Sequence, residues 1–387
     1  MTSKTITILG STGSVGVNAL RVIREHPGLF KVVGLAAGSS RETLKNQINE
    51  FLPKAAYLND ADMCRDLISE APDTVRIFSE QEGLRVFCEF VDADILLVAT
   101  SGTTALLSVL DALEKGRRVA LANKEILVMA GDLVMSTLKK NPKGQLIPID
   151  SEHNAIFQCL EGHPRENVEK IILTGSGGPL RQTPLAQFGG VSKADVVNHP
   201  KWKMGKKISV DSATMMNKGL EIIEASWLFD MPIEQIEVLI HPEAVIHSMV
   251  EFKDGALLAQ MGVTDMRLPI QYALSYPARI SSLEMKRINF AELSGLNFQL
   301  PDREKFPCLN LAWAAARESG STPCVLSAAD EVAVEAYLED KINFLDIPRT
   351  IEKVLSRHHS IPKPSLSEIL TSYDWAIEET KKLCQVG

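Results

Sequence analysis

The sequence predicts an α/β fold that begins with a Rossmann-like, doubly wound parallel sheet, continues through a central α+β domain and ends in a helical domain. Three observations support this order. Short apolar runs alternate with helical stretches up to about residue 150, strand-like and helical segments mix between 146 and 290, and the remainder has little strand character. We therefore expect domains at 1–149, 150–295 and 296–387.

In the first domain, "TITILG" (5–10) reads as a buried strand, and "SVGVNALRVIREHP" as a helix that ends at Pro27. Later strands are expected in "FKVVGLAAG", "DILLVATSG" and "RRVALAN". This alternation is typical of βαβ units, which place parallel strands side by side.

The central domain is expected to contain strands in "QLIPID", "VEKIILTGSGG", "IEVLIHPEAVIHSMVEF" and "ALLAQMGV". Apolar periodicity beyond residue 300 indicates four helices, near 308–319, 324–338, 346–358 and 365–383.

Composition excludes several classes of protein. A chain of 387 residues with a net charge of -8 lacks the basic excess of a general nucleic-acid binder. Its apolar runs are too short to span a membrane, and the N-terminus shows no export signal. The six cysteines have no CxxC spacing, which favours reduced thiols and a cytoplasmic location.

The N-terminal strand leads into "GSTGSVG" (10–16), where the missing glycine side chains allow backbone N–H groups to approach a pyrophosphate. A purely structural glycine turn is the alternative. The second strand ends in Ser39, Ser40 and Arg41, where an NAD site usually offers an acid. Hydroxyls and a guanidinium favour the 2′-phosphate of NADP, although a polar loop that caps the next helix would look similar.

Two acids, Asp150 and Glu152, follow the "QLIPID" strand. In strand geometry this spacing would direct both carboxylates to one side, where Mg²⁺ or Mn²⁺ is the expected ion. The alternative is a helix start, with Asp150 or Ser151 as its N-cap and Glu152 in its first turn.

"DSATMMNKGLE" (211–221) combines anion-binding and acidic residues. If Asp211 or Ser212 caps a helix that extends to about 229, its Asn217, Lys218 and Glu221 share one face. Ser212, Asn217 and Lys218 would then bind an oxyanion beside the Glu221 carboxylate, whereas an ordinary surface pair is the alternative.

Two neighbouring stretches add to this pattern. The glycine-rich turn "LTGSGGPL" offers Ser176 and backbone N–H groups to the same anion, or is a plain tight turn. The lysine-rich segment 198–207 surrounds Trp202 and reads either as a lid that closes over a substrate or as a solvated loop.

These motifs, together with "NKE" (123–125), "DSE" (150–152) and "HPEAVIHSMVEF" (241–252), occur in the order found in 1-deoxy-D-xylulose 5-phosphate reductoisomerases, which the chain resembles. The most specific stretch is 199–221. The resemblance implies an NADPH- and metal-dependent homodimer that rearranges and reduces deoxyxylulose phosphate to 2-C-methyl-D-erythritol 4-phosphate, in the non-mevalonate route to isoprenoids. Range 150–295 would then be the catalytic, metal-binding and dimerisation domain.

By position in the motifs, the resemblance also implies site residues. The implied metal ligands are Asp150, Glu152 and Glu221. The implied substrate contacts are Lys124, Ser151, Glu152, Ser176, His199, Trp202, Ser212, Asn217, Lys218 and Glu221, of which Lys124 and Glu152 would handle protons. The implied NADPH contacts are Thr12, Gly13, Ser14, Val15, Gly38, Ser39, Ser40, Asn123, Glu125 and Gly205, beside the Arg41 inferred above.

The chain departs from the family pattern at a few positions. Glu243-Ala244 stands where Gln-Ser is usual, Val263-Thr264 replaces Asn-Pro, and "SAADEV" (327–332) replaces an asparagine-rich "NAANEV". Two other functions fit part of the sequence: a dehydrogenase of another phosphorylated sugar without rearrangement, and an NADP-sensing regulator. The first leaves three acids unexplained, and the second has no use for a lid.

Overall fold

A computed structural model describes residues 3–81, 83–198, 205–282 and 284–385. The chain forms two compact units. The first unit comprises Met1–Ile126, Val134–Asn154 and Asp265–Lys286, and the second comprises Leu127–Leu133, Ala155–Thr264 and Arg287–Gly387.

The first unit is built on a seven-stranded parallel sheet of order β4-β3-β2-β1-β5-β6-β7. Its strands are β1 (Lys4–Leu9), β2 (Phe30–Ala37), β3 (Ala55–Leu58), β4 (Arg76–Ser79), β5 (Ile95–Val98), β6 (Arg118–Leu121) and β7 (Gln145–Pro148). The intervening helices are α1 (Ser14–Glu25), α2 (Arg41–Phe51), α3 (Ala61–Glu70), α4 (Leu84–Val91), α5 (Leu106–Glu114) and α6 (Glu125–Lys140). This doubly wound sheet confirms the predicted fold of the N-terminal region.

The "QLIPID" strand belongs to this sheet, within the predicted range 1–149, although the mixed pattern that begins near 146 had grouped it with the central α+β region. Its β7 pairs with β6 in parallel, with Arg118 opposite Gln145. The preceding helix α6 provides the crossover that a parallel neighbour requires, which local sequence pattern alone did not reveal.

The second unit contains a four-stranded mixed sheet of order β11-β10-β8-β9. After α7 (Ser151–Cys159), its elements are β8 (Val168–Gly175), α8 (Lys193–Val197), α9 (Lys206–Thr214), α10 (Met216–Leu228), β9 (Ile236–Ile240), β10 (Ile246–Phe252) and β11 (Leu257–Met261). The chain then supplies α11 (Arg267–Ser275) to the first unit.

Four helices complete the second unit: α12 (Pro307–Glu318), α13 (Thr322–Leu338), α14 (Asp346–Arg357) and α15 (Leu366–Gln385). Their positions confirm the four predicted helices. They share one hydrophobic core with the mixed sheet, in which Leu173 of β8 and Leu220 of α10 are clustered with Ala312 and Val325.

The two compact units therefore differ from the three predicted ranges. Residues 265–286 return to the first unit, and most of the second and third ranges share a core. Apolar periodicity identifies each helix but not the surface against which it packs, so the grouping was not visible in the sequence. Among the described residues, no helix is both long and apolar enough to cross a membrane.

Candidate active site

The glycine-rich turn after β1 is shaped by close backbone contacts. Gly10 has a φ of 83°, and a Cβ there would lie 2.4 Å from the Ala99 carbonyl oxygen. A Cβ on Gly16 would lie 2.3 Å from the Gly10 carbonyl oxygen. These contacts exclude a side chain at positions 10 and 16 and let the start of α1 approach the end of β1.

The start of α1 has no side-chain cap. Its N-cap residue is Gly13, and Ser14 and Val15 follow in the first turn, directly after Thr12. A buried pair of hydrogen bonds holds the turn to α2: Ser11 Oγ donates to Gln47 Oε1, and Gln47 Nε2 donates to the Ser11 carbonyl. The backbone N–H groups of this first turn are thus the donors that an anion can use.

The end of β2 carries the residues expected to recognise a 2′-phosphate. Gly38 and Ser39 follow the strand, Ser40 is the N-cap of α2, and Arg41 is its first residue. The Ser40 side chain makes no capping hydrogen bond. The helix-capping alternative is therefore not used, although Ser40 occupies the cap position.

The "NKE" motif lies between β6 and α6. Asn123 Nδ2 donates to the Gly102 carbonyl, and Asn123 Oδ1 accepts from the Ile126 N–H. Glu125 is the first residue of α6. Between them, buried Lys124 places its Nζ 2.6 Å from Asp150 Oδ2.

Asp150 is a largely buried acid, with a side chain that is 11% exposed, beside two basic groups. Lys124 contacts Oδ2, and His153 Nδ1 lies 3.4 Å from Oδ1. Burial alone would raise the pKa of Asp150, but the Lys124 ammonium and the His153 ring hold the pKa well below its usual range. His153 was not among the predicted site residues, although its place one turn after Asp150 could have indicated it.

Glu152 lies in the first turn of α7, so of the two readings the helix start is the correct one for Glu152 and strand geometry does not apply. Ser151 is the first residue of α7 and its hydroxyl donates to the Glu152 carboxylate.

In the second unit, the "DSATMMNKGLE" motif spans two helices. Asp211 and Ser212 lie in the last turn of α9, so neither caps a helix that extends to 229 as predicted. Met215 adopts the left-handed conformation, with φ 62° and ψ 12°, and separates α9 from α10. Local periodicity continues across Met215, which explains why the break was not predicted.

Lys218 and Glu221 form a buried ion pair on α10, and Asn217 also donates to the Glu221 carboxylate. Lys218 Nζ donates in addition to the Thr174 carbonyl at the end of β8, at 2.5 Å. A Cβ on Gly175 would lie 2.8 Å from Lys218 Cε, so a larger residue there would displace the Lys218 side chain where it passes the strand. The predicted shared face of α10 is therefore present.

The turn after β8 lies against the end of α9. Ser176 Oγ accepts weakly from the Gly178 N–H at 3.4 Å. Gly178 has a φ of 72°, and a Cβ there would lie 2.3 Å from the Ser212 carbonyl oxygen. The structure thus brings the turn that carries Ser176 to Ser212, while β8 meets Lys218. Hydroxyl, amide and ammonium donors are grouped in one region of this unit.

The lid prediction falls mainly outside the described residues. His199 and Trp202 belong to that part of the chain. At its edges, Asn198 follows α8, Gly205 is the N-cap of α9 and Lys206 is the first residue of α9. The last two residues of the predicted lid are therefore helical.

Of the three implied metal ligands, Asp150 and Glu152 belong to the first unit and Glu221 to the second. The implied NADPH contacts lie in the first unit, apart from Gly205. The site residues that the resemblance implies are thus distributed over both units.

Comparison with known proteins covers nearly the whole chain. Family models match residues 6–131, described as 1-deoxy-D-xylulose 5-phosphate reductoisomerase, 146–229, described as its C-terminal domain, and 261–379, described as the DXP reductoisomerase C-terminal domain.

Two similar relatives carry the same name. The protein of Shouchella clausii is 47% identical over 95% of this chain and 96% of its own length. That of Moorella thermoacetica is 48% identical over 97% of this chain and 96% of its own length.

Solved structures agree. The Zymomonas mobilis 1-deoxy-D-xylulose 5-phosphate reductoisomerase in complex with NADPH has a TM-score of 0.91 and 40% identity, with 99% of each chain covered. A DOX-P reductoisomerase in complex with NADPH, fosmidomycin and magnesium has a TM-score of 0.92 and 39% identity, with 99% of this chain and 98% of the other covered. The chain belongs to the 1-deoxy-D-xylulose 5-phosphate reductoisomerase family.

Proposed function

We propose that this protein is an NADPH-dependent oxidoreductase that uses a divalent cation to convert 1-deoxy-D-xylulose 5-phosphate to 2-C-methyl-D-erythritol 4-phosphate, in the non-mevalonate isoprenoid pathway. The observation that carries the proposal is the match of reductoisomerase family models to residues 6–131, 146–229 and 261–379, which together cover most of the chain. Relatives with this name have solved structures that hold NADPH and magnesium.

The acidic residues fit a hard divalent cation. Asp150 Oδ1 is buried, and His153 Nδ1 lies 3.4 Å away without forming a well-directed hydrogen bond to it. A buried carboxylate oxygen with so weak a donor is costly, and a cation would offset that cost. We assign Asp150, Glu152 and Glu221 as ligands of Mg²⁺ or Mn²⁺, which would polarise the substrate's carbonyl and hydroxyl oxygens.

The first unit fits a dinucleotide. The close glycine contacts at 10 and 16 leave no room for side chains, and the uncapped start of α1 presents N–H groups. Asn123 and Glu125 lie at the carboxyl end of β6, on the sheet edge where such folds bind ligands. The nucleotide, when bound, supplies the hydride for the reduction.

The donors of the second unit fit the substrate's phosphate. Ser176, Ser212, Asn217 and Lys218 would bind it together with His199. The Thr174 carbonyl and the Glu221 carboxylate already fix the orientation of the Lys218 side chain. Lys218 therefore loses little side-chain entropy when it binds the phosphate. Because the phosphate takes no part in bond changes, its binding serves to hold the reacting carbons in place.

Lys124 and Glu152 are assigned to proton handling. Lys124 Nζ lies within 2.6 Å of Asp150, which holds the ammonium proton close to the ligands. Glu152, hydrogen-bonded by Ser151, can accept or return a proton at its carboxylate. Trp202 on the lid would exclude water while these transfers occur.

The assignment is tested with purified protein, NADPH and 1-deoxy-D-xylulose 5-phosphate, followed by the loss of reduced-nicotinamide absorbance. We expect oxidation with Mg²⁺ or Mn²⁺ that stops on addition of a chelator. NMR of the product separates the branched methylerythritol skeleton from the unbranched polyol phosphate that direct reduction of the ketone would give. Absence of metal-dependent turnover would reject the function, and an unbranched product would favour the alternative dehydrogenase.

We also propose that the protein is a homodimer through its second unit. Strand β11 lies at one edge of the mixed sheet, and its adjacent residues Leu257 and Leu258 are 50% and 40% exposed. Adjacent strand residues point to opposite faces, so both faces of this edge strand are open to solvent.

Light scattering after size-exclusion chromatography tests the dimer. Wild type should elute with twice the chain mass, and Leu258→Lys should shift it towards one chain. Leu185→Lys, a matched change at another exposed leucine of the same unit, should leave the mass unchanged. A monomeric wild type would refute the proposal.

A cytoplasmic location is proposed as well, because all six thiols are free.

A further inference from the structure

Two cations of the first unit share one carboxylate. Arg41 and Lys45 lie one turn apart on α2. Glu70, the last residue of α3, places Oε2 at 2.5 Å from Arg41 Nη2 and 3.0 Å from Lys45 Nζ. A single oxygen thus accepts from both groups, an arrangement that a phosphate oxygen can replace directly.

The cluster lies close to the expected nucleotide-binding edge of the sheet. Arg41 begins α2 at the carboxyl end of β2, where dinucleotide folds bind the adenosine ribose. Beside it, the Ser40 side chain makes no capping bond, and Arg41 Nε is buried with no acceptor among the described residues. A donor surface suited to a 2′-phosphate is therefore present, with Glu70 as the anion shared by Arg41 and Lys45, while Arg41 Nη1 also donates to the exposed Glu42 carboxylate at 2.5 Å.

The Glu70 carboxylate is charged at neutral pH, but its ion pairs with Arg41 and Lys45 are partly exposed and therefore weak. Its hydrogen bond from Lys45 lowers the pKa of Glu70, although partial burial opposes this shift. The side chains of Arg41, Lys45 and Glu70 are 21%, 30% and 34% exposed, so water screens the ion pairs. A 2′-phosphate carries about twice the charge of a carboxylate and would displace it.

We propose that Glu70 is a specificity-determining residue that competes with the 2′-phosphate of NADPH for Arg41 and Lys45. This inference rests on the proposed use of NADPH, and it adds Lys45 to the nucleotide contacts. Glu70 keeps the two cations in place without nucleotide and repels the phosphate once it binds. It therefore lowers the affinity for the phosphorylated cofactor, which favours release of the oxidised product, and leaves NADH unaffected.

Isothermal titration calorimetry of the full-length protein tests this with NADPH, NADH and 2′,5′-ADP. Glu70→Gln should lower the dissociation constants of NADPH and 2′,5′-ADP by about three- to tenfold, with that of NADH within about twofold. The gain should shrink at high salt because the repulsion is screened. Lys45→Met should raise the NADPH constant by a similar factor.

Glu50→Gln is the matched control. Glu50 lies on α2, the helix that carries Arg41 and Lys45, but it pairs with Arg24. Its replacement by Gln changes the net charge by the same amount as Glu70→Gln without removing a contact to Arg41. It should leave all three constants unchanged. Weaker NADPH binding by Glu70→Gln, or an equal gain for NADH, would overturn the inference while NADPH use stands. Failure of folded wild type to bind NADPH would reject the proposed function and the inference with it.

Discussion

The Glu221 carboxylate accepts hydrogen bonds from two neighbouring side chains. Asn217 and Lys218 both donate to its carboxylate from within α10, and Glu221 is almost completely buried. The same carboxylate is assigned to the cation, while Lys218 is assigned to the phosphate. One helical turn therefore accounts for the mixture of acidic and anion-binding residues in the motif.

Replacement of Glu221 by Gln should abolish metal-dependent turnover and spare nucleotide binding. The amide retains size but loses the charge that a divalent cation requires, so kcat should fall by about a thousandfold or more. Steady-state kinetics over a range of Mg²⁺ concentrations and NADPH titration provide the measurements. The control is Glu237→Gln, whose carboxylate pairs with Lys170. Turnover near wild type would remove Glu221 from the ligand set.

At the scale of elements, the position of α10 depends on its contact with α12. A Cβ on Gly219 would lie 2.5 Å from the Cβ of Ala312. The glycine therefore lets the two helices approach closely at the turn that contains Lys218 and Glu221.

Gly219→Ala should destabilise the protein by about 1–3 kcal/mol through overpacking, which outweighs the gain of about 1 kcal/mol in helix propensity. Urea unfolding followed by circular dichroism measures the difference. Gly189→Ala, where the added Cβ meets nothing within 4 Å, is the control. If both variants were equally stable, the close approach of α10 and α12 would be wrong.

An ion cluster also connects α9 to α13. Lys207 Nζ donates to Asp211 at 2.6 Å and to Asp330 at 2.8 Å, and both carboxylates are buried. Asp330 lies in the "SAADEV" stretch, at a position where the family pattern has Asn. This departure supplies a second carboxylate to Lys207.

Lys207→Met should lower the free energy of unfolding by about 3 kcal/mol, because it leaves two buried carboxylates without their shared cation. Asp330→Asn alone should cost less, since Lys207 keeps Asp211. In the double variant that combines Lys207→Met with Asp330→Asn, the neutral amide should recover part of the free energy of unfolding that Lys207→Met removes. A double-mutant cycle in urea measures this coupling. Strictly additive effects would contradict the shared ion cluster.

At the scale of the whole molecule, the six cysteines report on packing. All are free, and Cys88 alone is not fully buried. Burial raises the pKa of Cys88 and of Cys159 to about 11 and that of Cys324 to about 12. Few thiolates are therefore available at neutral pH.

Ellman's reagent should label the native protein slowly at pH 8, with Cys88 first, and all six thiols should react after unfolding in guanidinium. Reducing agent should leave the unfolding midpoint unchanged, because there is no disulfide to reduce. Prompt labelling of every thiol in the native protein would show that the buried positions are wrong.

The sequence by itself determined the parallel sheet, the four C-terminal helices and the family. Buried parallel strands read as apolar runs, helices follow a period of 3.6 residues, and the glycine and "NKGLE" motifs carry their chemistry within a few residues. These patterns depend on residues close together in the chain, so they can be recognised without knowledge of the fold. The shared face of Asn217, Lys218 and Glu221 is local in the same sense.

Only the tertiary structure decided which segments belong together. Strand "QLIPID" pairs with β6, residues 265–286 return to the first unit, and the C-terminal helices share the core of the mixed sheet. The break at Met215 and the pairing of Arg41 and Lys45 with Glu70 are likewise absent from any local pattern. The reason is physical: these features depend on contacts between residues far apart in the chain, whereas periodicity and propensity act over one or two turns.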